Sequence, residues 1–196
     1  HRVADSTAQE EEVPDELEVQ VPIIIDVLAA LGIARIGVPG YEADDVIGTL
    51  TTRAAGPVVI VTGDRDLFQL VDDARGVRVL YTAKGGVARG DVVTESYISE
   101  KYAIPGRGYA DFAALRGDPS DGLPGVPGVG DKTAAALITL YGTLDGVRAA
   151  AEREDPATRA TIHAKLRAAS AYLDVAPVVV RVATDLLIPD ERLELP

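Results

Sequence analysis

The residues best suited to chemistry in this chain are seven acids that fall in three short clusters. They are Glu42, Asp44 and Asp45 in the first cluster, Asp64 and Asp66 in the second, and Asp118 and Asp121 in the third. The chain has no Cys and only two His, so most of its possible metal-binding side chains are carboxylates. Carboxylate oxygens suit hard divalent cations such as Mg²⁺ or Mn²⁺. Crowded carboxylates repel one another, and bound divalent ions reverse that repulsion.

A glycine-rich hairpin follows the third cluster. It starts at Gly125 and reads Gly-Val-Pro-Gly-Val-Gly-Asp-Lys-Thr-Ala. Glycines allow tight backbone geometry, and the N–H groups at a helix N-terminus can hold phosphate. The candidate DNA-binding residues are therefore Gly125, Gly128, Gly130, Lys132 and Thr133. Backbone contacts of this kind carry no base information, so we expect sequence-independent binding. The simpler alternative is a loop between packed helices.

Together, the acids and the hairpin predict metal-dependent phosphodiester chemistry on a nucleic acid. The net charge of −12 argues against nucleic-acid binding when taken alone, because such proteins usually carry a basic surface. An acidic balance can simply favour solubility. The objection weakens because seven of the acids lie in clusters that bound metals would neutralise.

The hydrophobic pattern predicts an α/β fold with a mostly parallel sheet flanked by helices. The chain has 196 residues, of which 47% are hydrophobic, enough for a sizeable core. We expect strands at 33–38, 57–62 and 77–81. The first two strands lead into the first and second acidic clusters, and ligands of open α/β sheets bind beyond the carboxyl ends of strands. Both clusters are therefore expected to reach one crevice. Lys84, Gly85 and Gly86 read as a hairpin turn.

The second half of the chain reads as helical. Helices are expected from Pro14, at 43–54, from Asp66, and at 94–102, 109–115, 131–141, 143–153 and 156–173. The apolar tail 178–182 is expected to be a short strand or a packed extended segment. We expect His163 at the surface, since Arg159 and Arg167 flank it one turn away. The pattern divides the chain into an α/β part at 1–92, which carries the first two acidic clusters, and a helical part at 93–196.

Other chemistries fit the sequence poorly. Neither histidine has the context of a catalytic triad, and the chain has no Walker A sequence. Asp64-Arg65-Asp66 is followed by Leu-Phe-Gln, which lacks the third oxygen ligand and the glycine of an EF-hand loop. No apolar run approaches the ~18 residues of a membrane span.

Three segments resemble the 5′-nuclease superfamily of flap endonucleases, bacterial 5′–3′ exonucleases and the N-terminal nuclease domain of DNA polymerase I. They are Pro-Gly-Tyr-Glu-Ala-Asp-Asp at 39–45, Val-Thr-Gly-Asp-Arg-Asp-Leu-Phe-Gln-Leu at 61–70, and the third acidic pair joined to the hairpin at 117–134. The resemblance covers about residues 13–190. It implies a PIN-like or resolvase-like, metal-binding α/β nuclease core at 1–92 and a helical DNA-binding region with a helix–hairpin–helix motif at 93–196.

The resemblance also implies roles for single residues. Glu42 and Asp44 would serve a first divalent metal, and Asp45 would be an additional or outer acid. Asp64, Asp66, Asp118 and Asp121 would serve mainly a second metal. Gly128, Gly130, Lys132 and Thr133 would hold the backbone of duplex DNA, with a monovalent cation such as K⁺ in the hairpin.

The implied activity is that of a structure-specific 5′–3′ exonuclease or flap endonuclease using two or more Mg²⁺ or Mn²⁺ ions. It would cut 5′ flaps and 5′ ends at junctions with duplex DNA, in replication, repair and Okazaki fragment processing. We expect a bacterial cytoplasmic location on the nucleoid, with no membrane association. Association with a DNA polymerase is left open.

The sequence departs from the family in one large respect. Nothing before Glu42 resembles the first strand with its metal-binding Asp, or the basic arch that follows it. We therefore expect the chain to lack the N-terminal third of the domain and to be a poor nuclease by itself. Two alternatives remain, namely a PIN-like ribonuclease and a duplex-DNA-binding module without catalysis.

Overall fold

The structure is a computed structural model that describes residues 15–188. The described residues fall into two compact units, one formed by 15–49 with 183–188 and the other by 50–182. The expected start of the first helix at Pro14 lies outside the described residues. No helix within 15–188 has the length and apolar character needed to cross a membrane.

The smaller unit is helical. It contains α1 (Asp15–Glu18), α2 (Val21–Ala30) and most of α3 (Ala43–Arg53). The strand expected at 33–38 is wrong, because this stretch is extended without strand pairing. A β-branched run forms a strand only where a neighbour completes its hydrogen-bond ladder. Within the described residues no strand pairs with it, and Ile33 is half exposed.

The larger unit begins with a three-stranded mixed sheet in the order β1 (Val58–Thr62), β2 (Val77–Tyr81) and β3 (Asp91–Val93). The strands expected at 57–62 and 77–81 are confirmed to within one residue. β1 and β2 are parallel, with Thr62 opposite Tyr81. β3 runs antiparallel to β2 and was not predicted, because Asp91–Val93 is too short for a periodic signal. The turn expected at Lys84–Gly86 lies in the connection between β2 and β3.

Six helices complete the larger unit. They are α4 (Glu95–Tyr102), α5 (Tyr109–Arg116), α6 (Asp131–Tyr141), α7 (Leu144–Glu152), α8 (Ala160–Ala168) and α9 (Ser170–Val180). Thr94 and Thr143 cap α4 and α7 by accepting hydrogen bonds from Tyr97 N and Gly146 N. The strand or extended segment expected at 178–182 is wrong, since its first three residues belong to α9. Leu173, Ala176 and Val180 are buried at helical spacing, which favours the helix.

An aromatic cluster forms the centre of the larger unit. Phe68 meets Tyr81 with ring centroids 5.2 Å apart and Tyr109 with centroids 5.3 Å apart, both edge to face. Such pairs stabilise by about 0.5–1.5 kcal/mol beyond their burial. Phe68 belongs to the 3₁₀ segment Asp66–Leu70, which begins where the second acidic cluster ends. The cluster therefore fixes the backbone that carries Asp66.

His163 is buried, with 2% of its surface exposed, so its expected surface position is wrong. It shares one face of α8 with Ile162 and Leu166, which are also buried. The flanking arginines suggested a polar face, but Arg167 turns back to donate a hydrogen bond of 2.7 Å to the carbonyl of Ala151. Helical spacing alone could not show the direction in which the Arg167 side chain extends.

Asp111 connects three helical elements of the larger unit. Its carboxylate accepts a hydrogen bond of 2.9 Å from Leu144 N at the start of α7 and one of 2.8 Å from Arg181, which follows α9. Asp111 itself is buried on α5. A buried N–H that loses its acceptor is costly.

Replacing Asp111 by Ala should lower the free energy of unfolding by about 2 kcal/mol, because Leu144 N–H would stay buried without an acceptor. Urea unfolding followed by circular dichroism measures this loss. The matched control is Asp145→Ala, which removes an exposed acid in the first turn of α7 and should cost less than about 1 kcal/mol. Equal losses in the two variants would contradict a structural role for Asp111.

Candidate metal centre and glycine hairpin

Three of the predicted acids converge in the larger unit. Asp66, Asp118 and Asp121 each offer a carboxylate oxygen, and these oxygens lie within 4.8 Å of one another. Asp66 opens the 3₁₀ segment after β1, while Asp118 precedes a second 3₁₀ segment, Pro119–Asp121. Two loops that are distant in the sequence therefore bring their acids to one place. We call these three residues the acidic cluster.

Asp64 lies beside the acidic cluster but is not one of the three converging residues. Its carboxylate accepts a hydrogen bond of 2.9 Å from Asp66 N, and its own N–H donates to the Thr62 hydroxyl at 2.9 Å. These bonds close a tight turn at the end of β1. Asp64 thus shapes the loop that presents Asp66 and adds negative charge close to it.

The charge state of Asp66 reflects this crowding. Burial, followed by the charges of Asp121 and Asp64, raises the pKa of Asp66 from its ordinary 3.8 to about 7. Like charges held together in a partly buried place disfavour ionisation. A divalent cation would remove that penalty, because it attracts every carboxylate at once. The donor set, all carboxylate oxygen, therefore fits Mg²⁺ or Mn²⁺.

Asp118 is held in the charged form. Burial acts against ionisation, but hydrogen bonds from Ser120 and the charges of Arg116 and Arg65 lower its pKa below the ordinary value. The Ser120 hydroxyl donates at 2.5 Å to one carboxylate oxygen, and Arg116 Nη2 donates at 2.8 Å to the other. Arg65 Nη2 lies 3.7 Å from that second oxygen. Asp118 is therefore oriented before any cation binds.

The first predicted cluster belongs to the smaller unit. Asp44 and Asp45 lie in the first turn of α3, and Glu42 precedes that helix. Asp45 is fully buried, and both of its carboxylate oxygens accept backbone hydrogen bonds, from Glu42 N at 3.3 Å and Ala183 N at 2.8 Å. Burial acts against ionisation, but hydrogen bonds, first among them the one from Ala183 N, help to lower the pKa of Asp45. Asp45 thus ties the segment at Ala183 to α3, and its role as a metal ligand stays a prediction.

The third cluster and the hairpin are joined by a close backbone crossing. Val126 N donates a hydrogen bond of 3.0 Å to the carbonyl of Leu115 at the end of α5. Gly117 and Gly125 face each other here, and a Cβ on Gly125 would lie 2.3 Å from the carbonyl oxygen of Arg116. Gly125 has φ +71°, which glycine adopts without strain. This crossing fixes the hairpin relative to the acidic cluster.

The hairpin leads directly into α6. Val129 N donates to the carbonyl of Val126 at 2.9 Å, and Gly130 forms the N-cap of α6 without a side-chain cap. The first N–H groups of a helix have no acceptor within it, so they can bind an anion. Lys132 is exposed in the first turn, and Thr133 is half-buried beside it. Gly128 has φ +73° and lies at the exposed tip.

Several polar residues of this region were not predicted from the sequence. Arg65 and Arg116 contact Asp118, and Lys165 of α8 donates a hydrogen bond of 3.2 Å to the carbonyl of Gly128. Arg116 also lies 3.9 Å from Asp131 at the start of α6. A signal for the two arginines existed, because each stands within two residues of a predicted metal ligand. Lys165 gave no such signal, since its contact depends on the packing of α8.

Comparison with known proteins shows the family to which this chain belongs. The family model described as the N-terminal resolvase-like domain of 5′–3′ exonuclease matches residues 2–103. The model described as the C-terminal SAM fold of 5′–3′ exonuclease matches residues 104–195. The chain is therefore a member of the 5′–3′ exonuclease family, with a resolvase-like part followed by a helical SAM-like part. The predicted family and fold class are confirmed.

Curated relatives carry the same description. A "5′-3′ exonuclease" of Streptomyces coelicolor is 59% identical over 199 residues, and one of Mycobacterium tuberculosis is 50% identical over 209 residues. Both alignments cover all of this chain, which spans 66% and 65% of those relatives. A DNA polymerase I of Mycobacterium bovis is 47% identical over 85% of this chain and 19% of its own length.

Solved structures share the fold. A point mutant of the T5 5′-exonuclease superposes with a TM-score of 0.65 at 18% identity, covering 82% of this chain and 64% of that chain. A T5 5′-exonuclease with bound zinc ions gives a TM-score of 0.64 at 17% identity, covering 86% and 62%. The catalytic core of Rad2 in complex with DNA substrate gives 0.51 at 18% identity, covering 86% and 56%.

The raised pKa of Asp66 predicts a pH-dependent stability of the metal-free protein. The protonated form is favoured in the folded state, so its stabilising contribution is complete below about pH 4 and is lost as the pH rises through about 7. Asp66→Asn should remove this dependence. The measurement is urea unfolding of wild type and Asp66→Asn in EDTA at pH 5 and pH 8. The difference in unfolding free energy between the two proteins should shift in favour of the variant at pH 8. A difference independent of pH would contradict the assignment.

The backbone crossing predicts a second effect on stability. Gly125→Ala should destabilise the protein by several kcal/mol, because the new Cβ would be strained at φ +71° and would also overlap the carbonyl of Arg116. Gly122→Ala is the matched control, with φ +68° but open space around the Cβ, and should cost about 1–2 kcal/mol. Thermal and urea unfolding compare the two. Similar losses would show that the crossing adds no constraint of its own.

Proposed function

We propose that this chain is a metal-dependent, structure-specific nuclease of DNA that acts as a 5′–3′ exonuclease and flap endonuclease. The observation that carries the proposal is the convergence of Asp66, Asp118 and Asp121 within 4.8 Å, with the pKa of Asp66 raised to about 7. Family membership supports the same conclusion. The repulsion in this cluster opposes folding, and a bound divalent cation would offset it.

In this proposal, Asp66, Asp118 and Asp121 hold one divalent cation, with Asp64 adding charge beside them. Glu42 and Asp44 serve a second cation, and the buried Asp45 supports them from the first turn of α3. When bound, Mg²⁺ or Mn²⁺ supplies Lewis-acid chemistry that activates water and stabilises a leaving phosphate oxygen. Arg116 and Ser120 keep Asp118 charged and correctly turned. The same proposal divides the chain into a metal-binding part at 1–92 and a helical DNA-binding part at 93–196.

The hairpin binds the backbone of duplex DNA in this proposal. Gly128 and Gly130 are exposed, Gly125 allows the close backbone crossing that fixes the hairpin, and α6 directs its N-terminus to the phosphate. Lys132 and Thr133 add side-chain donors. Lys165 supplies a further positive charge at Gly128. A monovalent cation such as K⁺ at the hairpin remains part of the proposal.

The substrates proposed are 5′ flaps and 5′ ends at junctions with duplex DNA, as they arise in replication, repair and Okazaki fragment processing. The Rad2 core with DNA substrate, which shares the fold, supports DNA as the partner. The proposed location is the bacterial cytoplasm, on the nucleoid.

Asp66→Asn tests the metal chemistry. The variant should lose one Mn²⁺ site, because the substitution removes one of the three converging carboxylates. Any cleavage of a 5′-flap DNA in Mg²⁺ or Mn²⁺ should fall below detection. Mn²⁺ binding is counted by electron paramagnetic resonance on the 196-residue protein, and cleavage is measured separately on a labelled flap.

Asp145→Asn is the control for loss of one exposed negative charge and should match wild type in both measurements. An unchanged Mn²⁺ count in Asp66→Asn would contradict the proposed centre. Mn²⁺ binding without cleavage by wild type would favour the alternative of a DNA-binding module.

Lys132→Ala tests the hairpin. The variant should weaken binding to all duplexes by a similar factor and reduce the slope of log K against log salt by about one unit, because one phosphate contact is lost. Fluorescence anisotropy with two duplexes of unrelated sequence, each at several salt concentrations, measures both quantities. Arg159→Ala, an exposed arginine that precedes α8, should leave the slope unchanged. A loss confined to one duplex sequence would count against backbone recognition.

A further inference from the structure

The side-chain amide of Gln69 joins the loop that carries Asp66 to the end of α9. Its Nε2 donates hydrogen bonds to the carbonyl of Asp66 at 2.8 Å and to the carbonyl of Val180 at 2.9 Å. Its Oε1 accepts a hydrogen bond of 3.2 Å from Val182 N. Val180 and Val182 are 111 and 113 residues away from Gln69 in the sequence. One side chain therefore connects two distant segments of the larger unit.

These three bonds allow one orientation of the amide. The amide group has two N–H donors and a carbonyl oxygen, and each of them has a backbone partner. A rotated amide would place its oxygen against the carbonyls of Asp66 and Val180 and its NH₂ group against Val182 N–H. All three contacts would then be repulsive. The half-buried Gln69 side chain is thus fixed at both of its ends.

The segment that Gln69 contacts after α9 is itself held in place. Val180 is buried as the last residue of α9. Arg181 donates a hydrogen bond of 2.8 Å to Asp111 on α5, and Asp111 also accepts a hydrogen bond from Leu144 N at the start of α7. The far end of the Gln69 contact is therefore attached to α9 and α5 directly and to α7 through Asp111.

The other end of the Gln69 contact lies on a segment that is under electrostatic load. Asp66 is the first residue of the 3₁₀ segment Asp66–Leu70, and the charges of Asp121 and Asp64 oppose its ionisation. Hydrogen bonds of a 3₁₀ segment have poorer geometry than those of an α-helix, so the segment offers little resistance of its own. Mutual repulsion would be reduced if Asp66 moved away from the other two carboxylates. A side-chain bond to the carbonyl of Asp66 opposes that movement.

We infer that Gln69 is a positioning residue of the metal centre, which holds Asp66 within reach of Asp118 and Asp121. The inference rests on the proposed function and adds to it a residue that touches neither the cation nor the DNA. Groups that orient metal ligands without contacting the metal typically contribute about 10–100-fold to metal affinity. The bond to the backbone of Asp66 is the observation that carries the inference.

A simpler explanation is that Gln69 only caps the end of α9. The last carbonyls of a helix lack partners within it, and the bond to Val180 supplies one. This explanation accounts for the contacts with Val180 and Val182 but not for the contact with Asp66. The two explanations differ in their consequence for Mn²⁺, because a cap stabilises the fold without changing the affinity of the metal centre.

Gln69→Met tests the inference in the 196-residue protein. Methionine is of similar length but has no N–H donor, so the hydrogen bonds are lost while the space stays filled. The affinity of the Mn²⁺ site that depends on Asp66, measured by electron paramagnetic resonance, should fall by about tenfold or more. Urea unfolding with and without Mn²⁺ gives a second readout. At a fixed Mn²⁺ concentration well above the Kd, the stabilisation by Mn²⁺ should shrink by about 1.4 kcal/mol for a tenfold loss of affinity.

Two further variants separate positioning from general destabilisation. Gln69→Asn retains the amide on a side chain one methylene shorter, which cannot span both Asp66 and the end of α9, so its Mn²⁺ affinity should also fall. Thr143→Ala is the matched control, because it removes the cap of α7 without touching the acidic cluster. Its Mn²⁺ affinity should stay within about twofold of wild type. Circular dichroism shows whether each variant is folded.

Wild-type Mn²⁺ affinity in a folded Gln69→Met or Gln69→Asn protein would overturn the inference, and Gln69 would then only cap α9. A loss of affinity that Thr143→Ala shares would also overturn it, because general destabilisation would explain both. In either case Asp66→Asn would still lose its Mn²⁺ site, so the proposed function would stand. Absence of an Asp66-dependent Mn²⁺ site from wild type would instead remove the proposed metal centre and the inference with it.

Discussion

Repulsion among the carboxylates of the acidic cluster is the cost that packing of the larger unit has to overcome. Asp66 is partly buried beside Asp121 and Asp64, and burial together with these charges raises its pKa to about 7. The fold holds these groups together in spite of that penalty. Asp64 is fixed by the turn after β1, and Phe68, two residues after Asp66, is anchored in the aromatic cluster. Packing of the core therefore sustains an electrostatic arrangement that protonation of Asp66 or a bound cation would relieve.

At Asp118, neighbouring polar and cationic side chains limit the same repulsion. Two arginines and the Ser120 hydroxyl compensate its charge, so Asp118 stays ionised while Asp66 takes up the proton. Two carboxylates in one centre thus have pKa values displaced in opposite directions. Their environments, and not their residue type, determine which of them a cation must deprotonate on binding.

The sequence predicted the parts of the structure that depend on local chemistry. The β-branched stretch at 57–62, the strand Val77–Tyr81 and the helix that follows Gly130 each have a strong periodic or capping signal, and all are present. The failures arose where a distant partner decides the outcome. Residues 33–38 read as a strand but have none to pair with among the described residues. His163 is buried with Ile162 and Leu166, although Arg167, which reaches back to Ala151, is one turn away. Neither the pairing of a strand nor the contact of Arg167 with Ala151 can be predicted from the neighbouring residues in the sequence.

The candidate site, like the fold, could be predicted from the sequence only in part. The convergence of Asp66 with Asp118 and Asp121 was predictable, because Asp66 follows the end of β1 and the other two acids directly precede a glycine hairpin. Their charge states were not, because these depend on Arg116 and Arg65, whose side chains reach Asp118 only in the folded chain. Arg116 is the most informative of the residues that sequence reasoning missed. It is the last residue of α5, and its guanidinium lies over the ring of Phe112, 2.8 Å from Asp118 and 3.9 Å from Asp131 at the start of α6.

Arg116 therefore stands between the proposed metal centre and the proposed DNA contact, directly before the backbone crossing of Gly117 and Gly125. The crossing fixes the distance between the two sites, since neither glycine tolerates a side chain there. Arg116 adds an electrostatic connection, because a phosphate that approached it would compete with Asp118 and Asp131 for the same guanidinium. A cation at the acidic cluster would weaken the hold of Asp118 on Arg116. Metal binding and phosphate binding at Arg116 would then favour each other, because linked equilibria are reciprocal.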